Sequence, residues 1–279
     1  MLSTVILTKN ETANLPGCLR SLAWCDDIHV VDSGSTDGTV DIARKAGATV
    51  WNRAFDSFGR QRNWALDTCT LRHPWVLFLD ADEQTTEPFV RGLFDAVQSA
   101  SAETAGYFCC WKLMMDGHWL RRCDAFPRWQ FRVVRLGRAR FCDFGHGQKE
   151  AEVSGEIKYL AEPYLHFAFS KGWSHWLDRH NRYSTQEAAA RLAAGYTWRD
   201  VGKAKGTYRA AVIKTVLARF PGWPIARFLY GYLWRLGFLE GRPGLVYCVN
   251  MAYYEFMIQL KMRELAQVSK DAGVGKGAT

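Results

Sequence analysis

The first 80 residues alternate short apolar runs with stretches of helical spacing. The apolar runs cover residues 3–8, 28–32, 49–51 and 75–79, and helices are predicted over 14–24, 39–46 and 57–68. A further helix is predicted over 87–99, beyond this stretch. Such alternation predicts parallel strands joined by crossover helices. The last run, WVLFL, is wholly apolar, which indicates a central strand covered on both faces. We therefore expect an α/β fold with a mostly parallel central sheet flanked by helices.

Polar clusters follow three of the predicted strands. Lys9-Asn10-Glu11 follow the first strand, Asp32-Ser33 end the second, and Asp80-Ala81-Asp82-Glu83 follow the fourth. In open parallel sheets, ligands bind outside the carboxyl ends of the strands. We therefore expect these clusters to converge on one crevice.

Asp80 and Asp82 form the sharpest chemical feature. Two carboxylates one residue apart can reach a single divalent cation, or divide between the cation and a sugar hydroxyl. Mg²⁺ or Mn²⁺ held in this way neutralises a diphosphate. The alternative is that the pair caps the following helix.

Asp32 also has two interpretations. A carboxylate at this position can accept a hydrogen bond from a nucleotide base or a ribose hydroxyl. Alternatively, Asp32 caps its own turn or the helix that begins near Thr39. The sequence contains neither a G-x-G-x-x-G motif nor a Walker lysine motif, which argues against dinucleotides and P-loop phosphates.

Four motifs occur in register: TKNE at 8–11, VDSGSTDGT at 31–39, GRQRN at 59–63 and LDADE at 79–83. Together they resemble the family 2 glycosyltransferases, which have a GT-A (Rossmann-like) fold, over residues 1–170. The later segment GFLEGR at 237–242 resembles the bacterial branch that contains lipopolysaccharide-core glucosyltransferases and related exopolysaccharide enzymes.

This resemblance implies an inverting transfer of one sugar from a nucleotide diphosphate sugar, with a UDP-sugar favoured and Mg²⁺ or Mn²⁺ as cofactor. It implies that Asp80 and Asp82 form the metal motif, in which Asp82 contacts the metal directly. The positions that it assigns to the nucleotide sugar are Thr8, Asn10, Glu11, Asp32, Arg62, Asn63 and Asp80.

Attack on the anomeric carbon requires a base to deprotonate the acceptor hydroxyl, and a carboxylate in a dry cleft suits that task. The candidates are Glu150, Asp143 and, third, His146. Glu150 is favoured because it best matches the acidic position of the family, although the usual His-Glu pair is replaced here by FGHGQKE at 144–150. The alternative for Glu150 is a solvated ion pair with Lys149.

Arginines and aromatic residues alternate along a predicted strand at 129–134. Arg128, Arg132 and Arg135 could bind phosphate, and Trp129 could stack on a sugar ring. Arg132 is accordingly a further candidate for binding the nucleotide sugar. The alternative is a half-exposed strand whose polar face lies in water.

The C-terminal segment 201–263 carries ten Lys and Arg residues but only two acidic residues, so it accounts for the whole formal charge of +8. Its Trp, Tyr and Arg content over 225–236 is typical of helices in a membrane interface, where each cation adds about 1 kcal/mol near an anionic leaflet. Ordinary packing on a catalytic domain is the alternative. Nucleic-acid binding is not expected, because no recognised module is present.

We predict a GT-A catalytic domain over 1–170, with a nucleotide-sugar half (1–100) and an acceptor half (101–170). A helical, membrane-associating extension is expected over 171–266 and a flexible tail over 267–279. No export signal is evident, which predicts eight reduced cysteines and a cytoplasmic protein peripheral to the inner face of the cell membrane.

The predicted reaction is transfer of a sugar to a lipid-linked glycan or lipopolysaccharide-core acceptor in bacterial surface polysaccharide biosynthesis. The alternative is a catalytically inactive, sugar-nucleotide-binding membrane adaptor of the same fold. A nucleotidyltransferase is a weaker hypothesis, because the glycine-rich basic loop that handles triphosphates is not visible.

Overall fold

A computed structural model describes residues 2–144, 147–204 and 206–274 of the chain, which divides into two compact units. The sheet unit comprises residues 1–121 and 125–171, and the helical unit comprises residues 122–124 and 172–279. Residues 122–124, which we expected in the catalytic domain, thus group with the helices. Candidate base His146 and the last five residues of the expected tail lie outside the described residues.

The sheet unit alternates strands and helices along its first half and is mostly strand in its second half. In chain order its elements are β1 (Ser3–Thr8), α1 (Leu15–Ser21), β2 (Ile28–Asp32), α2 (Thr39–Lys45), β3 (Thr49–Asn52), α3 (Phe58–Thr68), β4 (Trp75–Asp80), β5 (Glu83–Gln84), α4 (Glu87–Gln98), β6 (Thr104–Met115), β7 (His118–Trp119), β8 (Trp129–Arg135), β9 (Arg140–Phe144), β10 (Gly147–Ala151) and β11 (Glu156–His166). The predicted α/β alternation is confirmed.

Nine of the described strands form the central sheet, in the order β3-β2-β1-β4-β8-β6-β11-β5, with β7 paired to β6. Six of these nine run in the same direction, whereas β5, β7 and β8 run opposite to them. The expected mostly parallel sheet flanked by helices is therefore confirmed. Strands β9 and β10 pair separately as an antiparallel hairpin.

Strand β4 is the centre of this sheet, as its apolar sequence predicts. Trp75, Leu77 and Leu79 pack into the core on one face, and Val76 and Phe78 pack into the core on the other. Residues of a strand point alternately to its two faces, so an unbroken apolar run requires cover on both.

Helix α1 is shorter than predicted. It ends at Ser21 rather than Trp24, because the chain tightens into a turn in which the amide of Leu22 donates to the carbonyl of Leu19, three residues back. Such i→i−3 bonds commonly close the last turn of a helix.

The helical unit contains five helices among its described residues. They are α5 (Gly172–Ala194), α6 (Trp198–Lys203), α7 (Gly206–Leu217), α8 (Trp223–Leu229) and α9 (Gly241–Val274). A π-helical turn (Tyr230–Trp234) and a 3-10 turn (Gly237–Glu240) lie between α8 and α9.

Three helices, α7, α8 and α9, begin within residues 200–266. Pro224 lies in the first turn of α8, and Pro243 lies in the first turn of α9. A proline is tolerated there because its missing N–H would have no partner in the helix anyway.

A buried ion pair joins α5 to α9. Nη1 of Arg191 lies 2.7 Å from Oε2 of Glu255, and both side chains are 6% exposed. The indole of Trp223 donates to the same carboxylate at 2.8 Å. Around this pair, α9 packs Tyr254 and Ile258 into the core of the unit. Among the described helices, none is both long and apolar enough to cross a membrane.

Candidate functional site

The carboxyl ends of β1, β2 and β4 lie side by side, so the three polar clusters meet at one edge of the sheet. In the strand register Thr8 lies opposite Asp32, and Leu7 lies opposite Asp80. The predicted convergence of the clusters is confirmed.

Asp32 is buried at this edge and accepts several hydrogen bonds from its own surroundings. The hydroxyl of Thr8 donates to it at 3.0 Å, and the amides of Gly34 and Ser35 donate at 3.0 and 2.8 Å. Asp32 therefore does cap its own turn, as one sequence interpretation held. It does not cap α2, whose first amide, that of Thr39, donates to Asp37.

Asn10 and Glu11 are fixed just beyond β1. Asn10 adopts a left-handed backbone with φ of 55°, and its side-chain oxygen accepts from the amide of Thr36 at 2.8 Å. Glu11 accepts from Lys171 at 2.5 Å and from Asn14 at 2.8 Å. Burial raises the pKa of Glu11 above its ordinary value, although these two donors oppose the shift.

Arg62 on α3 is 1% exposed and lies between the rings of Phe58, Phe78 and Phe141, at 5.7–5.9 Å. Its Nη2 donates to Asp80 at 3.1 Å, whereas its buried Nε and Nη1 have no hydrogen-bond partner. Burial lowers the pKa of Arg62 to about 10, and the attraction of Asp80 opposes this shift. The guanidinium therefore remains charged at neutral pH.

Arg132 on β8 joins Asp80 to Glu83. Its Nη2 donates to Asp80 at 2.8 Å and to Glu83 at 2.5 Å, while the hydroxyl of Tyr164 donates to Glu83 at 3.2 Å. Arg132 is only 1% exposed, so the interpretation of its strand as a polar face in water is wrong for this residue. Burying the Arg132 guanidinium is tolerated because it pairs with Asp80 and Glu83, which are distant from it in the sequence.

The pKa values of the two carboxyls bonded to Arg132 are shifted in opposite directions. Burial raises the pKa of Asp80, but Arg132 and Arg62 more than offset it and hold the pKa well below its usual range. Burial raises the pKa of Glu83, which has no exposed surface through which to stay hydrated. Asp80 is thus the permanently charged member of the pair.

Asp82 lies against His166, the last residue of β11. The Nε2 of His166 is 3.5 Å from Oδ2 of Asp82, and its Nδ1 is buried without a hydrogen-bond partner. Strand β11 brings it there by pairing His166 with Glu83 of β5. Burial lowers the pKa of His166, but the charge of Asp82 more than offsets it, so the pKa is raised.

Neither Asp80 nor Asp82 caps the helix that follows, so that alternative is wrong. The N-cap of α4 is Thr86, whose hydroxyl accepts from the amide of Phe89. The two carboxylates remain at the end of β4, one held by arginines and the other beside an imidazole.

The hairpin β9–β10 carries both carboxylates proposed as the base. Asp143 accepts from the amide of Gly59 at 3.0 Å, in the first turn of α3. Asn63 of α3 bonds both backbone groups of Phe141 at 2.9 Å, which anchors the hairpin. Asn63 therefore directs its amide to the hairpin rather than outward.

Glu150 lies opposite Phe141 in the hairpin, so the two side chains share the face on which Asp143 contacts α3. It is half-buried. Lys149 points to the other face because neighbouring residues of a strand alternate. The alternative of a Glu150–Lys149 ion pair at the surface is therefore disfavoured.

Within the described ranges, no three His, Cys, Asp or Glu side chains are arranged to hold a metal ion by themselves. The pair Asp82 and His166 nevertheless offers one oxygen and one imidazole nitrogen, a donor set that suits Mn²⁺ or Mg²⁺ when phosphate oxygens complete the coordination. Sequence reasoning missed His166, Tyr164 and Lys171, and it placed Glu83 in the polar cluster without giving it a role. The sequence signal for His166 was a polar residue at the end of a strand.

The sequence is similar to known glycosyltransferases. Residues 3–140 match the model of the family described as Glycosyl transferase family 2. The lipopolysaccharide core biosynthesis glycosyltransferase LpsC of Rhizobium meliloti (strain 1021) is 27% identical over 256 residues, covering 88% of each chain. An uncharacterised glycosyltransferase of Rickettsia conorii is 26% identical, covering 97% of this chain and 92% of its own.

A solved structure shows the same fold. The mannosyltransferase PcManGT from Pyrobaculum calidifontis, solved with GDP-Man and Mn²⁺, superposes with a TM-score of 0.51 at 17% identity. The match covers 94% of this chain and 86% of that one. With the sheet described above, it confirms the expected GT-A architecture.

Proposed function

This chain carries a family 2 glycosyltransferase domain in residues 3–140, and from that premise we propose that it transfers one sugar from a nucleotide diphosphate sugar to an acceptor hydroxyl. The observation that carries the proposal is the meeting of Asp32, Asp80 and Asp82 at one sheet edge, with two buried arginines behind them. A UDP-sugar is the favoured donor.

The nucleoside binds at the end of β1 and β2 in this proposal. Thr8, the Ser35 hydroxyl and the turn amides fix the Asp32 carboxylate in one orientation, and a base or ribose donor would replace one of these two hydroxyl donors. Asn10 and Glu11 line the same edge. Lys171 balances the charge of Glu11 at 2.5 Å and would otherwise be available to a phosphate.

Asp82 and His166 would hold the divalent cation, Mg²⁺ or Mn²⁺. The bound cation neutralises charge on the donor diphosphate and so favours its departure. Asp80 acts beside it: its charge is set by Arg62 and Arg132, and it would accept from a ribose or sugar hydroxyl, or reach the cation as a further ligand. Arg132 holds Asp80 in place.

Glu150 is the proposed base. The acceptor oxygen bonds to the anomeric carbon as its proton passes to the Glu150 carboxylate, and the bond from that carbon to the diphosphate oxygen breaks. The nucleoside diphosphate leaves with the electron pair, and the anomeric configuration inverts. Asp143 is the second candidate, but it is already engaged by the amide of Gly59.

The acceptor in this proposal is a lipid-linked glycan or a lipopolysaccharide core, reached from an anionic membrane surface at the inner face of the cell membrane. The name of the R. meliloti relative supports this class of acceptor. The basic, aromatic composition of residues 201–263 supports the membrane setting.

Calorimetric binding of UDP, GDP and dTDP, each with Mn²⁺ and with EDTA, tests the donor site. We expect one nucleotide to bind only with metal, and binding to be lost in Asp82→Ala. Glu150→Gln should keep donor binding and lose turnover, with Asp143→Asn as the matched control. If Asp143→Asn alone stops turnover, the base is Asp143. Nucleotide binding without turnover on any lipid-linked acceptor would favour the inactive adaptor.

A further inference from the structure

The helical unit exposes two apolar surfaces. One is a stripe on α9, which we call the α9 stripe: Leu245, Val249, Tyr253, Phe256 and Leu260, each 39–50% exposed. Their spacing of three or four residues places them on one side of the helix. The stripe contains no charged side chain.

The second surface, which we call the turn patch, surrounds the π-helical and 3-10 turns. Its members are Leu233, Trp234, Leu236, Phe238 and Leu239, which are 40–81% exposed. Trp234 is the most exposed of them. The rings of Tyr232 and Phe238 contact each other edge to face, so the patch is a folded feature of the unit.

Within residues 201–263 the exposed charges have one sign, whereas the exposed Glu264 follows directly after this segment. Residues 201–263 contain only two acidic residues, and both are directed inward. Glu240 accepts from the amides of Arg122 and Cys123, and Glu255 is buried against Arg191. The exposed charges of this segment are therefore basic.

Three exposed arginines flank the apolar surfaces along the chain. Arg219 precedes α8, Arg242 lies in the first turn of α9, and Arg263 follows the end of the α9 stripe. Exposed apolar surface bordered by cations is complementary to a leaflet whose apolar chains lie beneath anionic headgroups. A second copy of the chain would instead bring like charges together.

We propose that the turn patch and the α9 stripe bind the headgroup region of an anionic lipid leaflet, with their apolar side chains inserted and the arginines at the phosphates. This inference rests on the proposed function, because the leaflet would hold the lipid-linked acceptor. The surface binds without spanning the bilayer, as an interfacial anchor does.

Co-sedimentation with vesicles tests the proposal. The probe is phosphatidylcholine mixed with phosphatidylglycerol at roughly three to one, against phosphatidylcholine alone. We expect binding only to the anionic vesicles. Leu233→Ser/Trp234→Ser and Val249→Ser/Phe256→Ser should each weaken it at least about tenfold, because inserted side chains are lost. Arg219→Glu/Arg242→Glu should weaken it at least about 25-fold, at about fivefold for each arginine removed.

Matched controls come from the sheet unit, where Tyr159 is 62% exposed and Arg44 is exposed. Tyr159→Ser and Arg44→Glu should bind vesicles like the unmodified protein. Thermal unfolding of every variant checks that it folds. Equal binding to neutral vesicles, or full binding by the serine variants, would overturn the proposal.

Sedimentation velocity without lipid addresses the second-copy alternative. A dimer that the same serine variants dissociate would assign the surfaces to a protein interface and overturn the lipid proposal. Transfer to a detergent-solubilised acceptor is measured in parallel. Transfer without vesicle binding overturns only the lipid surface, whereas vesicle binding without transfer contradicts only the proposed function.

Discussion

Each of the two units places one kind of side chain in an unfavourable environment: the sheet unit has charges in its interior, and the helical unit has apolar side chains in water. The sheet unit buries charge: Arg62 and Arg132 are 1% exposed and pair with the partly exposed Asp80 and the buried Glu83. The helical unit exposes apolar side chains, among which Trp234 is 81% exposed. Among the described residues, 18 large hydrophobic side chains are exposed in the helical unit and four in the larger sheet unit.

The difference separates two sources of constraint. Buried charges lower stability unless they are paired, so the sheet unit retains them for the geometry that they give to Asp80 and Asp82. The exposed part of an apolar side chain adds little to the folding of the unit that carries it, so a contiguous surface of this kind supports the proposal of a binding partner. Substitutions test whether the sheet unit needs its buried charges for activity and whether the helical unit folds without its exposed apolar side chains.

The largest effect is expected in the sheet unit at Asp82. Asp82→Ala should lower the turnover rate at least about 100-fold, because it removes charge at the proposed cation site. Thermal unfolding should change little. The matched control is Glu87→Ala, an exposed carboxylate on α4 that should retain full turnover. Unchanged turnover in Asp82→Ala would remove Asp82 from the site.

Arg132→Met should lower the free energy of unfolding by about 3 kcal/mol, because it leaves Asp80 and Glu83 without their shared cation. Urea unfolding measures this loss. Tyr164→Phe removes a single hydrogen bond to Glu83 and should cost about 1 kcal/mol. Equal small losses in both variants would mean that Arg132 is not the centre of the network.

A second buried charge, Asp27, lies at the opposite end of the strands. Ser3 and Arg72 donate to it, and His29 lies 3.1 Å away. Burial raises the pKa of Asp27, but these donors outweigh it and leave the pKa below its usual value. The ionised carboxylate therefore stabilises the fold above the unfolded pKa of about 4, and the benefit is lost as the pH falls.

Asp27→Asn should accordingly cost about 2 kcal/mol at neutral pH, and this difference from the unmodified protein should shrink below about pH 4. Urea unfolding at a series of pH values measures it. The exposed loop residue Asp116 supplies the control, since Asp116→Asn should cost little at any pH. A difference that does not vary with pH would contradict the charge-based account.

The smallest effect is expected in the turn patch. Leu233→Ser/Trp234→Ser should change the free energy of unfolding by no more than about 0.5 kcal/mol, because both side chains are already in water. Ile258→Ala, in the core of the same unit, should cost at least about 2 kcal/mol. Calorimetric unfolding compares the two. A large loss in the double variant would mean that the patch supports the fold.

Local patterns in the sequence predicted β1 to β4 and β8, and the convergence of Asp32 and Asp80 on one sheet edge. These features depend on apolar runs and on the polar residues at their carboxyl ends, and both can be read within a few residues. The sequence did not reveal the position of His166 beside Asp82, because that contact depends on β11 pairing with the two-residue strand β5. Such a short strand carries no periodicity.

Arg132 shows a different limit of prediction. Its strand was recognised, but alternation indicates only that a residue faces one side of a sheet. Whether that side holds water or two carboxylates is decided by Asp80 and Glu83, which are distant in the sequence. The expected phosphate contact was inferred from residue type, whereas in the structure the buried Arg132 guanidinium donates hydrogen bonds to Asp80 and Glu83.

Helix α9 is apolar on two sides: Tyr254, Met257 and Ile258 pack inward, and the α9 stripe faces outward. Because both sides are apolar, hydrophobicity alone does not determine which side of α9 is buried. Other contacts must therefore fix the rotation of the helix about its axis. Glu255 meets Arg191, and Gln259 donates to the carbonyls of Ala218 and Phe220. These polar contacts select one rotation, and the buried ion pair thereby determines which apolar side the molecule presents to its surroundings.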